Sequence, residues 1–218
     1  MNKRTWIIVL NALIVVCEVF ALVSSASMGW GIFWYYTHLS NLLLAIGALL
    51  MCVFMIIKKD LKEVPAYALM TKFAGTAAGC LTFLVVIFLL IPQSMMTGGM
   101  PWYAFYMGSQ FILHLSNPLL GLISFLFFEN DRRFNKKKTI WIPVLLTLLY
   151  GIVMIVLNYL KKIVGPYFFL MVYAQPWYMT VLWVALIVGF VYLLARFLLV
   201  QNQKQLHKQR KKARKAGK

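Results

Sequence analysis

Long apolar runs alternate with short polar segments along the whole chain. Each run contains about 20 residues, which is the length at which an α-helix crosses the hydrocarbon core of a bilayer. The runs are continuous, whereas the strands of a membrane β-barrel would show short segments of alternating hydrophobicity. The pattern therefore predicts an all-α protein, a bundle of six transmembrane helices at 5–25, 33–57, 67–91, 105–128, 139–160 and 177–200.

Composition agrees with this assignment. The chain has 218 residues, of which 62% are hydrophobic and 12% are charged. A soluble domain carries roughly a quarter charged residues. Because the apolar runs take up most of the chain, a separate soluble domain of normal size is excluded. We predict one transmembrane domain at 1–200 and a basic tail at 201–218.

The net charge of +17 is concentrated in alternate segments between the predicted helices. Positive residues resist translocation, so the segments rich in Lys and Arg are expected on the cytoplasmic side. This pattern predicts a multi-pass protein of the cell membrane with both termini in the cytoplasm. The three other loops contain only Lys161 and Lys162. The basic residues of the cytoplasmic side are Lys3, Arg4, Lys58, Lys59, Lys62, Arg132, Arg133, Lys136, Lys137 and Lys138, followed in the tail by Lys204, Lys208, Arg210, Lys211, Lys212, Arg214, Lys215 and Lys218.

The basic tail is expected to bind anionic lipid headgroups, because each Lys or Arg near a membrane surface contributes ~1 kcal/mol of attraction. It also fits a signal that retains the C-terminus in the cytoplasm. Nucleic acid is not expected as a partner, since the tail lacks interleaved aromatic residues on which bases stack. RNA or ribosome binding is the alternative interpretation of this segment.

The first apolar run has features of a secretory signal peptide. Lys3 and Arg4 precede it, and the small residues at 24–26 resemble a cleavage site. The run is long, however, and Glu18 interrupts it. We therefore expect the first helix to be retained. Cleavage would leave five spans and the same cytoplasmic C-terminus.

No cofactor and no metal are predicted. Cys17, Cys52 and Cys80 lie inside apolar runs, without the spacing of a metal site or of a disulfide framework. The sequence also shows neither a phosphate-binding loop nor a dinucleotide-binding glycine pattern.

Polar residues inside the predicted helices are the candidates for function, because a polar group at bilayer depth costs a few kcal/mol. In the fourth helix Gln110, His114 and Asn117 lie at i, i+4 and i+7, which is one stripe. With a rise of 1.5 Å per residue, the candidates of three helices lie roughly 6–13 Å below the outer helix ends. We therefore predict a shared polar pocket in the outer half of the bundle. Its members are Glu18, Thr37, His38, Ser40, Asn41, Gln110, His114 and Asn117.

A histidine beside a hydroxyl can take its proton and convert it into a nucleophile. Thr37 as the nucleophile and His114 as the general base form the predicted catalytic pair. Glu18 is placed to orient the imidazole. The amide of Asn41 or that of Gln110 is expected to stabilise an oxyanion.

Several alternatives stay open at this point. Ser40 competes with Thr37 as the nucleophile. His38 is expected at the membrane–water interface, close to the aromatic pair Trp34 and Tyr35. The same polar groups can instead join membrane helices by hydrogen bonds, each contributing ~0.6–2 kcal/mol. Lys72 and Arg196 lie toward the cytoplasmic helix ends, where we expect them to snorkel to the surface.

The fourth helix contains Pro118, which is predicted to kink it. The carbonyl freed by this proline is a second group that can orient the imidazole of His114.

Two segments of the chain carry a family resemblance. Positions 35–43 have the sequence Tyr-Tyr-Thr-His-Leu-Ser-Asn-Leu-Leu, and His114 is followed by Pro118 and, at the predicted helix end, by Glu129. Both segments are similar to motifs of the androgen-induced membrane protein family and its bacterial relatives. The resemblance implies a membrane hydrolase that cleaves fatty-acid esters of hydroxy fatty acids. It also implies a catalytic threonine and histidine, matched in this sequence by Thr37 and His114.

The leading hypothesis from the sequence is hydrolysis of a lipid ester within the outer leaflet. Membrane lipids are then the partners, and a fatty-acyl ester is the substrate. Acyl transfer between lipids is the nearest alternative, since it would use the same residues. A non-enzymatic transporter or assembly protein is the third. A transporter would place Glu18 and His114 on a proton path.

Overall fold

Six long helices make up most of the molecule. The computed structural model describes residues 2–135 and 137–216, and within those ranges the chain forms helices and connecting turns without a β-strand. Six helices are long and apolar enough to cross a membrane, which confirms that part of the prediction. Lys136 and the last two tail residues, Gly217 and Lys218, lie outside the described ranges. The helices are α1 Lys3–Ser24, α2 Tyr36–Lys58, α3 Ala66–Met96, α4 Ser109–Phe128, α5 Trp141–Tyr159 and α6 Trp177–Ala216.

Three helix boundaries differ from the prediction by four residues or more, and one of them is the end of α3, which lies at Met96 rather than at 91. The apolar run of α6 ends near 200, but the helix continues to Ala216, because the tail is rich in Lys, Arg and Gln, which favour helix. At 1.5 Å per residue α6 is about 60 Å long, roughly twice the thickness of the hydrocarbon core. α4 begins at Ser109 rather than at 105. The reason is that Trp102–Tyr106 forms a separate 3-10 turn, and Gly108 with φ of +56° separates this turn from α4.

α2 and α3 touch through their backbones at two reciprocal positions. A Cβ atom on Gly47 of α2 would lie 2.5 Å from the Cα atom of Lys72 in α3. A Cβ atom on Gly75 of α3 would clash in the same way with the Cα atom of Leu44 in α2. Small residues at such positions let membrane helices approach closely and gain van der Waals contact. The two helices are therefore held in one fixed register.

Prolines accompany widened turns in α3 and α4. Proline lacks an N–H group, and its ring clashes with the carbonyl one turn earlier. In α3 the π turn Val86–Leu90 lies just before Pro92, and in α4 the π turn Ile112–Ser116 lies just before Pro118. The widened turn beside Pro118 carries His114, while the predicted kink of the helix axis stays a prediction.

The α2–α3 and α4–α5 connections meet at one end of the bundle. The Arg133 guanidinium donates hydrogen bonds to the carbonyl oxygens of Leu61 and Val64 and to the Asp131 carboxylate. Burial alone would raise the pKa of Asp131, but the hydrogen bonds and charge of Arg133 outweigh burial and lower this pKa. α6 joins the same end, because the Asp131 N–H donates to Asn202 Oδ1 at 3.3 Å.

The backbone contact between α2 and α3 predicts unequal effects of Gly→Ala substitutions. Gly47→Ala or Gly75→Ala should lower the free energy of unfolding by about 1–3 kcal/mol, because the added methyl group forces the helices apart. Gly151→Ala and Gly189→Ala are matched controls, since nothing lies within 4 Å of their added Cβ atoms. Thermal unfolding in detergent micelles measures the difference. Equal midpoints for Gly47→Ala and Gly151→Ala would contradict the described packing.

Candidate functional site

The polar side chains predicted to form a pocket face the interior of the bundle. Seven of the eight candidates are buried, and Gln110 is half-buried. Polar groups in this position need partners on other helices, or a ligand, to offset the loss of water. The seven buried residues are Glu18, Thr37, His38, Ser40, Asn41, His114 and Asn117.

Thr37 lies in the first turn of α2, at the wall of an apolar cavity of about 50 Å³. Tyr36 of α2 also lines the cavity, and the remaining lining comes from α3, α5, α6 and the α5–α6 connection. The Thr37 N–H donates to the Tyr167 phenol oxygen at 3.3 Å, and Thr37 Oγ1 lies 3.3 Å from the same oxygen. Tyr167 thus satisfies a donor that a helix N-terminus leaves unpaired. The cavity beside the hydroxyl is large enough for a water molecule or the end of an acyl chain.

Tyr167 is a site residue that the sequence reasoning missed. It lies in the α5–α6 connection and stacks on Phe169, with ring centroids 5.2 Å apart. Burial raises the pKa of Tyr167, so the phenol stays protonated at neutral pH and keeps a proton that it can donate. The available signal was the aromatic run at 167–169 outside any predicted helix. Such a run is typical of a connection that folds back onto the bundle.

The imidazole of His114 is oriented for proton transfer. His114 Nδ1 lies 2.7 Å from the carbonyl oxygen of Phe105, in the turn before α4. A carbonyl can only accept a hydrogen bond, so Nδ1 carries the proton and Nε2 carries the lone pair of the neutral ring. Nε2 makes no hydrogen bond to any residue of the described ranges. Phe105 therefore provides the orienting contact that the sequence reasoning assigned to Glu18 or to a carbonyl freed by Pro118.

Glu18 pairs with Asn117 instead. Asn117 Nδ2 donates to Glu18 Oε2 at 3.1 Å, which joins α1 to α4. Both side chains are buried, and Glu18 Oε1 and Asn117 Oδ1 have no partner in the part of the chain that the structure describes. Glu18 and Asn117 thus each have one buried oxygen that accepts no hydrogen bond from the described residues. Asn117 lies three residues after His114 in α4.

Asn41 connects the segments that carry the two predicted catalytic residues. Its Nδ2 atom donates to the carbonyl oxygen of Thr37 at 2.8 Å and to that of Leu113, the neighbour of His114, at 2.9 Å. Both carbonyl oxygens therefore lie within hydrogen-bond reach of one nitrogen atom. The start of α2 and the π turn of α4 are neighbours in the fold.

Ser40 packs α2 against α3. Its hydroxyl donates to the carbonyl oxygen of Thr37 at 3.0 Å and lies 2.9 Å from Thr82 Oγ1. His38 has a buried Nδ1 atom without a partner among residues 2–135 and 137–216. The half-buried amide of Gln110 makes no hydrogen bond within the same ranges.

The sequence predicts one shared pocket, whereas the structure arranges these side chains in separate hydrogen-bonded pairs that lie near one another. Thr37 is bonded to Tyr167, and Glu18 is bonded to Asn117. No hydrogen bond joins Thr37 to His114 in the described chain, and α4 contributes no lining residue to the cavity beside Thr37. The hydroxyl and the imidazole thus lie on adjoining segments, and in the described chain no hydrogen bond joins them.

A second polar cluster lies nearer the end of the bundle that carries the N-terminus. Lys72 Nζ is 4.0 Å from Glu129 Oε1, and both side chains are 1% exposed. Asn11 Nδ2 and Ser124 Oγ each donate to Glu129 Oε1 at 2.6 Å. The prediction that Lys72 snorkels to the surface is therefore wrong. The backbone contact with Gly47 encloses the residue, and Glu129 offers its charge a buried partner.

Comparisons with protein-family models, with curated proteins and with solved structures find no match to this chain. Within the described ranges, no group of three or more His, Cys, Asp or Glu side chains is arranged to hold a metal ion. The buried side chains among the predicted site residues carry hydroxyl, imidazole, carboxylate and amide groups, and all four kinds occur in the active sites of acyl-transfer enzymes.

The buried pair of Lys72 and Glu129 predicts a non-additive pair of substitutions. Lys72→Met or Glu129→Gln alone leaves one charge uncompensated inside the bundle and should lower the free energy of unfolding by about 3 kcal/mol. The double variant removes both charges and should unfold closer to wild type than either single variant. Reversible unfolding in mixed micelles, analysed as a double-mutant cycle, measures the coupling. Simple addition of the two single effects would contradict an ion pair at this position.

Proposed function

We propose that this protein is a membrane-embedded lipid-ester hydrolase with Thr37 as its nucleophile and His114 as its general base. The observation that carries the proposal is the position of the Thr37 hydroxyl at the wall of an apolar cavity. A site of this kind, with mostly apolar walls and few polar groups, suits a ligand that is itself apolar except at one point. A fatty-acyl ester has this character, since its ester carbonyl is the polar point on a hydrocarbon chain.

Thr37 is preferred to Ser40 as the nucleophile because of their different partners. The Ser40 hydroxyl lies between Thr82 and the Thr37 carbonyl, and Ser40 is not part of the cavity lining. The Thr37 hydroxyl has the protonated phenol of Tyr167 as its partner. A phenol that donates to the threonine oxygen leaves the threonine proton free for a base.

Each step of the proposed reaction accounts for its proton. The Thr37 oxygen attacks the ester carbonyl carbon, and its proton passes to Nε2 of His114. The imidazolium gives that proton to the leaving alcohol as the ester C–O bond breaks, and an acyl-threonine forms. Water then attacks the acyl carbon and gives a proton to Nε2, which returns it to the Thr37 oxygen as the fatty acid leaves. The Tyr167 phenol donates to the carbonyl oxygen of the ester, on which negative charge develops when the Thr37 oxygen attacks.

The proposed proton transfer requires a bridge between the two residues. A water molecule or the substrate's own oxygen supplies this bridge in the bound state. Catalytic hydrogen bonds are often long in an unliganded enzyme and shorten in the complex. Asn41 supports the arrangement, because it holds the start of α2 and the His114 turn against each other.

The resemblance to the androgen-induced membrane protein family supports the same assignment of roles. It adds a substrate class, the fatty-acid esters of hydroxy fatty acids, in which both parts of the ester are hydrocarbon chains. Such a substrate would reach Thr37 from the lipid phase. Acyl transfer to a lipid alcohol would follow the same first step, with that alcohol in place of water in the second.

We further infer that both termini face the cytoplasm. The end of the bundle that carries the N-terminus also carries the α2–α3 and α4–α5 connections and the tail, where nearly all of the basic residues lie. Positive residues of this density resist translocation. Thr37 and His114 would then act near the outer leaflet of the cell membrane.

A carrier is the second candidate function, because the Glu18–Asn117 contact leaves two buried oxygens free. A buried carboxylate with open acceptor positions is typical of a proton-binding site in a transporter. A proton-coupled flux into proteoliposomes that is lost in Glu18→Gln would favour this function over hydrolysis.

Covalent labelling tests the nucleophile and the base. A fluorophosphonate probe with an alkyl chain should label the protein in native lipid at Thr37. Thr37→Ala should abolish labelling, and His114→Ala should slow it by about 100-fold, since the base no longer accepts the proton. Ser40→Ala is the matched control and should keep most of the labelling. If wild-type protein in native lipid is not labelled, or if Ser40→Ala alone loses the label, the assignment of Thr37 fails.

Tyr167→Phe tests the phenol as a positioning residue. The change removes the hydrogen bonds to Thr37 and keeps the aromatic packing, so labelling of Thr37 should slow by about 3–10-fold, as expected for one neutral hydrogen bond. Tyr173→Phe removes a phenol hydrogen bond to the Tyr159 carbonyl in the same connection and serves as the control. Its labelling rate should equal that of wild type. If labelling slowed equally in both variants, the effect would come from a less stable α5–α6 connection, and the positioning role of Tyr167 would be contradicted.

A further inference from the structure

The C-terminal part of α6 is docked on the end of α4 rather than free. Asn202 Nδ2 donates to the carbonyl oxygens of Phe125 and Glu129 at 3.1 and 3.2 Å. Gln203 Nε2 donates to the Asp131 carbonyl oxygen at 2.7 Å, and Gln209 Nε2 donates to Asn130 Oδ1 at 2.8 Å. Amide side chains over two helical turns therefore fix the basic extension of α6 beside α4.

A groove of about 420 Å³ lies between this extension and α4. Lysines of the extension line one wall at i, i+3, i+4 and i+7, which is a single helix face. Phe127, in the last turn of α4, lines the other wall and is 52% exposed. The groove therefore combines an apolar surface at the end of a span with a cluster of ammonium groups just beyond it. The lysines are Lys208, Lys211, Lys212 and Lys215.

The charge in the groove is uncompensated by the described residues around it. No acidic side chain lines it. The nearby carboxylates are buried and already bonded, Glu129 to Asn11 and Ser124, and Asp131 to Arg133. The four ammonium groups therefore repel one another unless an anion lies between them.

We propose that this groove is a binding site for one anionic phospholipid of the adjoining leaflet. The phosphate lies among the lysines, and an acyl chain lies along Phe127. The apolar wall favours a lipid over a soluble anion. A free phosphate or an RNA has no acyl chain that could pack on Phe127, so this wall would not contribute to its binding free energy. The α6 extension at 201–216 also has no aromatic residue on which a base could stack. The site is independent of the proposed hydrolase chemistry, since it rests only on the contact between α4 and α6.

Two double variants with equal loss of charge test the site. Lys211→Gln with Lys215→Gln removes two charges from the groove. Arg210→Gln with Arg214→Gln removes two charges from the opposite face of the same helix, because these positions are turned by roughly 100–150° from the lysine face. Purified full-length protein in neutral detergent is titrated with phosphatidylglycerol or with phosphatidylcholine, and bound lipid is counted by native mass spectrometry. Circular dichroism verifies that all variants keep their helix content.

Wild-type protein should retain one phosphatidylglycerol in preference to phosphatidylcholine. The lysine variant should bind phosphatidylglycerol about 25-fold more weakly, at roughly fivefold for each charge near the headgroup, and the arginine variant less than about threefold more weakly. Phe127→Ala should weaken lipid binding without changing the binding of the water-soluble glycerophosphoglycerol headgroup. Equal losses in the two double variants, or full competition by that headgroup or by an RNA oligonucleotide, would overturn the proposal.

Discussion

Polar contacts between α1 and α4 determine how the helices of this bundle are aligned. Asn11 and Glu18 lie seven residues apart in α1, and their partners Ser124 and Asn117 lie seven residues apart in α4, in the opposite order. Antiparallel helices return to the same facing positions after about two turns, so both contacts form only in one register. An unpaired polar group in hydrocarbon costs several kcal/mol, so both contacts oppose any sliding of one helix along the other.

An apolar layer separates the two polar levels of this α1–α4 contact. Ile14 lies between Asn11 and Glu18 and packs, fully buried, against Leu44 and Ala48 of α2. Along α1, apolar side chains thus separate the level of the Lys72–Glu129 pair from that of the Glu18–Asn117 contact. In the proposed orientation, a carrier would need a polar route past these side chains, whereas a hydrolase would need only the outer polar level. The arrangement therefore agrees better with local chemistry than with transport through the bundle.

The features that sequence reasoning predicted are those that depend on one helix at a time. Apolar length predicts a span, and the cost of a polar group in lipid predicts that Thr37 and His114 face inward. The features it missed depend on how helices are rotated and which segments fold back. Nothing in the spacing of Lys72 reveals Glu129, and nothing in the spacing of Thr37 reveals Tyr167. Hydropathy also misjudged the end of α6, because helix propensity continues where apolar character stops.

If the two proposed catalytic groups approach each other on substrate binding, we expect the turn of α4 that carries His114 to change rather than α2. α2 cannot approach, because the backbone contact at Gly47 and the Ser40–Thr82 hydrogen bond hold it against α3. α4 instead begins after Gly108, and its π turn carries His114. A π turn contains one residue more than an α turn, so a shift of the turn along the helix changes the direction of the side chains in it. The proposed nucleophile thus lies on a closely packed helix pair and the proposed base on a widened turn, which is the division of roles expected where substrate binding completes a catalytic geometry.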